Sequence, residues 1–509
     1  MPNKLEPSLV RRYINKLSSQ LIIMIVGLLT AGLVPRALGP SMYGSFHFLT
    51  DFFMKLKNFF DMGSSIWFFT KVSKQPKEKL TYLFYGGILF IITALILGFT
   101  IFVFSFGLMN YVWPDQQVKF IFMALIFVLL TFFVDIFTKI MDAHALTVPF
   151  QWMRVVVRCI FVGILLMIYM NGFLTLPIYF FYQYGFLILI LIGSIFIGMK
   201  NDLWSNFLND FTTIFSLFKK FWKEFYEYVH PLFFYSLMAL IIGVLDRWML
   251  QFFSGGEQQG FFSLAYQLSQ LCFLFTSSLT PLLMREFSVA SEANNRKKMR
   301  ELFNRYIPLL YSITAFFSCF ALVQSKSLII LFGGDMYLGS MVPMMLMVLY
   351  PIHQTYGQLS SSVFYATGQT KLYRNIGVFM MFFGLIVSFF LLAPKEYYGL
   401  DLGALGLSMK MVALQFISVN IGLFFNSKYL SLNLFRYWMH QIGVLIIFLI
   451  VAFFASIVVG QLTQPVILTF ITSGIVYTLS MFVLIFLFPG IVGFKKEDAK
   501  KLLQRFLGV

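Results

Sequence analysis

A chain of 509 residues that is 59% hydrophobic and only 12% charged excludes a soluble globular enzyme. Its net charge of +17 would suit nucleic acid, but the basic residues gather in short connections between apolar runs, where they mark membrane topology instead. The expected fold class is therefore all-α: a polytopic membrane protein of about 14 transmembrane helices.

In chain order, the first apolar run, 17–38, follows Lys4, Arg11, Arg12 and Lys16. It is too long for a signal peptide and many spans follow it, so it reads as a retained helix. The second span, 45–70, is long and apolar yet carries His47, Asp51, Lys55, Lys57, Asn58 and Asp61. At about 100° per residue, all of these except Lys57 fall within an arc of roughly 120°, with Lys57 just beside it. Phe52, Phe53, Leu56, Phe59 and Phe60 take the other side. An ionised group at mid-membrane costs on the order of 3 kcal/mol or more, so such residues usually face a hydrated cavity. The alternative is a pair of self-neutralised contacts, Asp51 with Lys55 and Lys57 with Asp61, each four residues apart.

Further spans are expected at 80–106, 118–140, 150–170, 175–199, 231–253, 260–284, 306–331, 337–366, 372–393, 401–426, 437–460 and 464–488. Connection 200–230, with Trp204, Lys219, Lys220, Trp222 and Lys223, reads as an amphipathic helix on the membrane surface. Asp135 and Lys139 read as a local pair or an ion-coupling site. Asp246 and Arg247, being adjacent, point about 100° apart and cannot simply neutralise each other. Lys410 stands alone in the twelfth span, which places it at a cavity or beside a distant partner. His47 reads equally as a packing residue or a proton carrier. Cys159, Cys272 and Cys319 lie in apolar runs with no metal-ligand spacing, so buried thiols and no cofactor are expected.

With the amino terminus in the cytoplasm, 30 of the 38 Lys and Arg fall on the cytoplasmic side, counting 139–158 as one connection, and 4 on the other. Both termini are accordingly expected inside the cell. The chain also repeats itself. Gly39-Pro40-Ser41-Met42-Tyr43-Gly44 follows the first span and Gly255-Gly256-Glu257-Gln258-Gln259-Gly260 follows the seventh, 216 residues later. The same offset lays the polar face of the second span on Ser263, Gln267, Gln270, Ser277 and Ser278 of the eighth. Two six-helix lobes result, 1–199 and 231–426, joined by the linker 200–230 and followed by two extra helices and a basic tail over 427–509. Such a parallel repeat is a transporter pattern, with ligand held near mid-membrane.

Several of these stretches resemble the polysaccharide (O-antigen and capsule) flippases of the multidrug/oligosaccharidyl-lipid/polysaccharide exporter superfamily. They are Arg36-Ala37-Leu38-Gly39-Pro40-Ser41-Met42-Tyr43-Gly44, Asp61-Met62-Gly63, and Asp246-Arg247 followed by Gly260-Phe261-Phe262-Ser263-Leu264-Ala265-Tyr266. Leu331-Phe332-Gly333-Gly334-Asp335-Met336-Tyr337 and Ala366-Thr367-Gly368-Gln369-Thr370-Lys371 extend the similarity across about 8–426. The resemblance implies a transporter, not an enzyme, that moves polyprenyl-pyrophosphate-linked oligosaccharide to the outer leaflet of a bacterial or archaeal cell membrane. Its implied partners are that lipid-linked oligosaccharide, membrane lipids and other polysaccharide-assembly proteins. Lys55, Lys57, Arg247 and Lys410 are the candidate pyrophosphate contacts, Arg247 with a bidentate fork. His47, Asn58, Gln267 and Gln270 are further candidate substrate-binding residues, Tyr43, Tyr266, Tyr350 and Tyr356 are candidates for sugar contact, and Asp51, Asp61, Asp135 and Asp246 are candidate cavity acids or ion-coupling groups. The competing readings are a drug/cation antiporter of the same superfamily, a membrane-embedded polymerase or ligase, and a non-transporting scaffold. The short external connections disfavour the enzyme, and a scaffold leaves the intramembrane charges unexplained.

Overall fold

The computed structural model describes residues 9–75, 78–201, 203, 214–230, 233–461 and 465–493. The basic carboxyl-terminal tail and most of 200–213 lie outside the described residues. Among the described residues the chain is helical between short turns and contains no strand. An apolar chain has reason to fold so: a helix satisfies its own backbone polar groups where no water can. Eleven of the described helices are long and apolar enough to cross a membrane, and the protein is an all-α, multi-pass membrane protein.

The first half comprises α1 (Leu9–Asp61), α2 (Ser64–Lys74), α3 (Lys79–Ser105), α4 (Met109–Val112), α5 (Val118–Ala143), α6 (Thr147–Met170), α7 (Leu176–Lys200) and α8 (Ile214–Val229). Then follow α9 (Phe233–Gln270), α10 (Leu274–Glu292), α11 (Arg296–Val323), α12 (Ser325–Phe332), α13 (Met341–Met347) and α14 (Leu349–Ala366). Four helices end the described chain: α15 (Thr370–Leu392), α16 (Gly403–Leu430), α17 (Leu434–Gly460) and α18 (Val466–Leu487). Every predicted span has a helical counterpart. α1 carries the first two, and α9 carries the seventh and the start of the eighth.

The two double spans bend at matching glycines. Gly39 has φ 70° and ψ 169°, and Gly255, 216 residues later, has φ 77° and ψ −178°. That backbone region is essentially closed to residues with a Cβ. The repeat seen in the sequence is thus also a repeat of backbone conformation.

Contacts divide the chain into two compact units, 1–256 and 257–509. The boundary falls inside α9, just after Gly255, so the seventh span belongs to the first unit by its contacts. In that unit α8 lays Phe221 and Phe225 on Phe84, and Phe225 also meets Trp67. Lys71 Nζ reaches Glu224 Oε2 at 2.7 Å, while Trp222 and Tyr226 stay exposed. In the second unit α17 and α18 join the core built on α10, α11 and α14, where Tyr311, Tyr356, Phe448 and Tyr477 are buried. Tyr477 donates to the Phe316 carbonyl at 3.0 Å and Tyr311 to that of Gln441 at 3.2 Å. The two helices outside the repeat are therefore tied to α11 by buried hydroxyls.

Four expectations change. The second span breaks at Met62 and Gly63, with φ 43° and 79°, because Asp61 ends one helix and caps the next. The connection over 139–158 contracts to a turn at 144–146, which puts Lys139 in α5 and Arg154 and Arg158 inside α6. Cys159 is exposed while Cys272 and Cys319 are buried, since an apolar position in a membrane protein can face outward as readily as inward. Finally, Lys57 does not pair with Asp61, nor Lys139 with Asp135; both lysines reach other helices, as described below.

Candidate functional site

The polar face of α1 forms a charged cluster with the seventh span. Lys55 Nζ lies 2.5 Å from Asp51 Oδ2 and also donates to the Gly243 carbonyl, one helix across. Arg247 Nε lies 4.0 Å from the same carboxylate oxygen. Gly243 makes the approach possible: a Cβ there would stand 3.2 Å from Lys55 Cδ and Cε. Two cations thus share Asp51. Withdrawing charged side chains from water is costly unless they are mutually satisfied, and Asp51 supplies part of that for both cations. Asp246, next to Arg247, is half-buried on the same helix.

Around this cluster, His47 packs edge-on against Tyr43 and Phe46, with ring centroids 4.4 Å and 5.1 Å away. Its partly buried place suits packing. Asn58 is exposed on the same helix face. One turn further, Lys57 is buried, lies 3.7 Å from Asp135 Oδ2 of α5 and sits over the Phe132 ring at 5.2 Å. Asp61 accepts from the Ser64 hydroxyl at 2.7 Å, the Ser65 hydroxyl at 2.7 Å and the Ser65 amide at 3.0 Å. Lys139 donates to Ser65 Oγ, so α5 reaches the α2 cap through that hydroxyl. Asp61 and Asp135 are thus both held by structural contacts from neighbouring helices.

The seventh span is fastened elsewhere along its length. Trp248 Nε1 donates to the Tyr111 carbonyl at 2.6 Å, and Gln251 Nε2 to that of Pro114 at 3.4 Å. Both acceptors lie in the connection between α3 and α5.

The remaining candidates lie in the second unit. Lys410 is buried on α16 and packs against Gly384 of α15, where a Cβ would stand 3.1 Å from Cε. Gln267 is exposed, and Gln270 is half-buried with an Nε2 that has no protein partner. Tyr356 is buried, Tyr266 and Tyr350 are half-buried, and Gln354 accepts from Gln415 beside them. So the structure joins Asp51, Lys55 and Arg247, joins Lys57 with Asp135, and keeps Lys410, Gln267 and Gln270 on the helices of the other unit. Sequence reasoning passed over Arg154 and Arg158, counted as connection residues although the predicted span 150–170 already contained both.

The fold defined by these helices is that of the MOP superfamily transporters. The inward closed conformation of the lipid II flippase MurJ matches with a TM-score of 0.64 over 94% of this chain and 99% of that one, at 15% identity. An inward-facing multidrug resistance MATE family transporter matches with a TM-score of 0.55, covering 82% and 98% at 15% identity. A MOP superfamily transporter from Pyrococcus furiosus, described as having a binding pocket of reversed polarity, matches at 0.52, covering 83% and 95% at 16% identity. The family model described as polysaccharide biosynthesis protein matches residues 9–285, more than half of the sequence. The chain belongs to that family. No curated protein matches it.

Proposed function

We propose that this protein is a flippase that carries polyprenyl-pyrophosphate-linked oligosaccharide from the cytoplasmic to the outer leaflet by alternating access, for polysaccharide biosynthesis. The observation that carries the proposal is that two cations, Lys55 and Arg247, gather at Asp51 between spans of a polysaccharide biosynthesis family member. A phosphate-bearing head group is the kind of anion such cations meet, and the fork of Arg247 can grip it through two parallel hydrogen bonds. Lys57, Lys410, His47, Asn58, Gln267 and Gln270 are assigned supporting contacts with the substrate; Asp51 holds Lys55 and Arg247 and Asp135 holds Lys57, while Asp61 and Asp246 are assigned as cavity acids or ion-coupling groups.

The lipid tail needs an apolar route. A groove of about 510 Å³ between α11 and α18, lined by Phe316, Phe317, Phe320, Phe470, Gly474 and Tyr477, is apolar enough to provide one. Lys55, Lys57, Arg247 and Lys410, cations within spans, disfavour a cationic drug as cargo. In this reading the protein lies in the cell membrane with both termini in the cytoplasm, and its partners are the lipid-linked glycan, membrane lipids and other polysaccharide-assembly proteins. It performs no covalent chemistry.

The test is glycan display at the cell surface, normalised to the amount of protein in the membrane. Arg247→Ala should abolish display at normal protein level, and Arg247→Lys should retain part of it, because charge survives while the fork is lost. Full display by the alanine variant would remove Arg247 from transport.

A further inference from the structure

Arg158 is the twelfth of 24 residues in α6. At 1.5 Å per residue it stands about 17 Å from either end of that helix, in the middle of a segment long and apolar enough to cross a membrane. Snorkelling serves lysine and arginine near helix ends and gives little relief at the centre. Arg154 lies one turn earlier on the same face, so like charges stack where opposite ones would be expected.

Among the described residues neither guanidinium forms an ion pair, and Arg158 Nε is buried without a hydrogen-bond partner. Asp135 and Asp142 are the acids within electrostatic reach of Arg154, which leaves Arg158 the more isolated. What surrounds Arg158 is aromatic and small. Its guanidinium lies over the Phe186 ring at 5.3 Å, and Gly27 faces it from α1, where a Cβ would stand 3.9 Å from one terminal nitrogen. Tyr179 and Tyr182 of α7 are within its electrostatic reach, their rings stacked 6.0 Å apart. Gln183 donates to the Tyr179 hydroxyl at 2.7 Å. A cation–π contact contributes about 2 kcal/mol when desolvated, less than the roughly 3 kcal/mol or more that a central arginine costs. Phenol and amide groups add hydrogen bonds but no negative charge.

We propose that Arg158, assisted by Arg154, is a second binding station for a phosphate-type oxyanion, separate from the cluster at Arg247, with Tyr179, Tyr182 and Gln183 facing the group attached to that phosphate. This rests on the flippase reading for its substrate, a phosphorylated lipid head group, but the station itself follows from α1, α6 and α7 alone. Two stations let the head group leave one cation as it reaches the next, which keeps each affinity low enough for release.

The test uses the full chain in nanodiscs of phosphatidylcholine, titrated with inorganic pyrophosphate by calorimetry. In an Arg247→Ala background, which removes the fork of the first cluster, the protein should bind, adding Arg158→Gln should weaken binding at least tenfold, and adding Arg158→Lys should fall between, since it keeps charge without the fork. The thermal midpoint should not fall on adding Arg158→Gln, because the cost of the buried charge outweighs its contact with the Phe186 ring; a fall would make Arg158 structural and overturn the proposal. Unchanged pyrophosphate affinity on adding Arg158→Gln would also overturn it, as would glucuronate binding more tightly than pyrophosphate. A parallel titration in discs containing phosphatidylglycerol separates the two sources of phosphate. Retained pyrophosphate binding there supports a transported head group, whereas complete loss would make the station a resident-lipid site and overturn the substrate assignment. None of these results depends on glycan display, so display by Arg158→Gln with unchanged pyrophosphate affinity would remove the station and leave the flippase reading intact.

Discussion

Gly256, one residue past Gly255, sits against Ser41, two residues past Gly39: a Cβ on Gly256 would lie 3.3 Å from both the Ser41 carbonyl oxygen and its Oγ. The turn after the seventh span is thereby packed on the turn after the first. Gly256→Val should force the two turns apart and lower display per unit of membrane protein, while Gly98→Ala in α3, where an added Cβ meets nothing within 4 Å, should have no effect. Equal display by the two variants would show that the contact is dispensable.

The matched glycines make a sharper stability prediction. Gly39→Ala and Gly255→Ala each place a Cβ in a backbone region that costs about 1–3 kcal/mol. Both should lower the thermal midpoint of the detergent-solubilised protein, and by similar amounts. Midpoints unchanged from wild type would mean that the bends relax without loss.

Much of this architecture was legible in the sequence. Fourteen apolar runs, the offset of 216 and the polar face of α1 all follow from periodicity, which depends on a single helix. What the sequence withheld was the choice of partner. Lys57 and Asp61 are four apart, as are Asp135 and Lys139, and either pair would have closed locally. In the structure Lys57 crosses to Asp135, while Asp61 turns to the Ser65 amide and the Ser64 and Ser65 hydroxyls at the α2 start. A helix start presents unsatisfied N–H groups that compete for a carboxylate, and nothing in the spacing reveals that competition. Arg158, by contrast, was legible: the predicted span 150–170 contains it, and only its inclusion in the 139–158 charge count obscured that.

That competition is open to measurement. Asp61→Ala should cost about 1 kcal/mol, as loss of a helix cap does, and should speed amide exchange at the start of α2, over Ser64–Phe68. Asp61→Asn, which keeps an acceptor oxygen, should exchange more slowly than the alanine variant. Unchanged exchange in Asp61→Ala would remove the cap from the account.

The crossed pair predicts a rescue. Lys57→Asp puts two carboxylates together and should lower the thermal midpoint. Adding Asp135→Lys should restore part of it, because opposite charges again face each other between α1 and α5. No recovery in the double variant would make the 3.7 Å contact incidental.

Topology is checked by labelling single cysteines in intact cells with an impermeant thiol reagent. Asp115, Glu257 and Lys395 are exposed and belong to the predicted outer connections, and cysteines there should react. A cysteine at Lys298, exposed at the start of α11, should not. Reaction at Lys298 would invert the proposed direction of transport.

The most direct test of the central claim uses purified protein in sealed liposomes containing a fluorescent polyprenyl-pyrophosphate-linked saccharide. A membrane-impermeant reductant added outside bleaches only the outer leaflet, about half of the label in protein-free vesicles. With the wild-type protein the bleached fraction should rise toward completeness, and Arg247→Ala should return it to the protein-free level. A bleached fraction that stays at the protein-free level with wild-type protein would contradict the account.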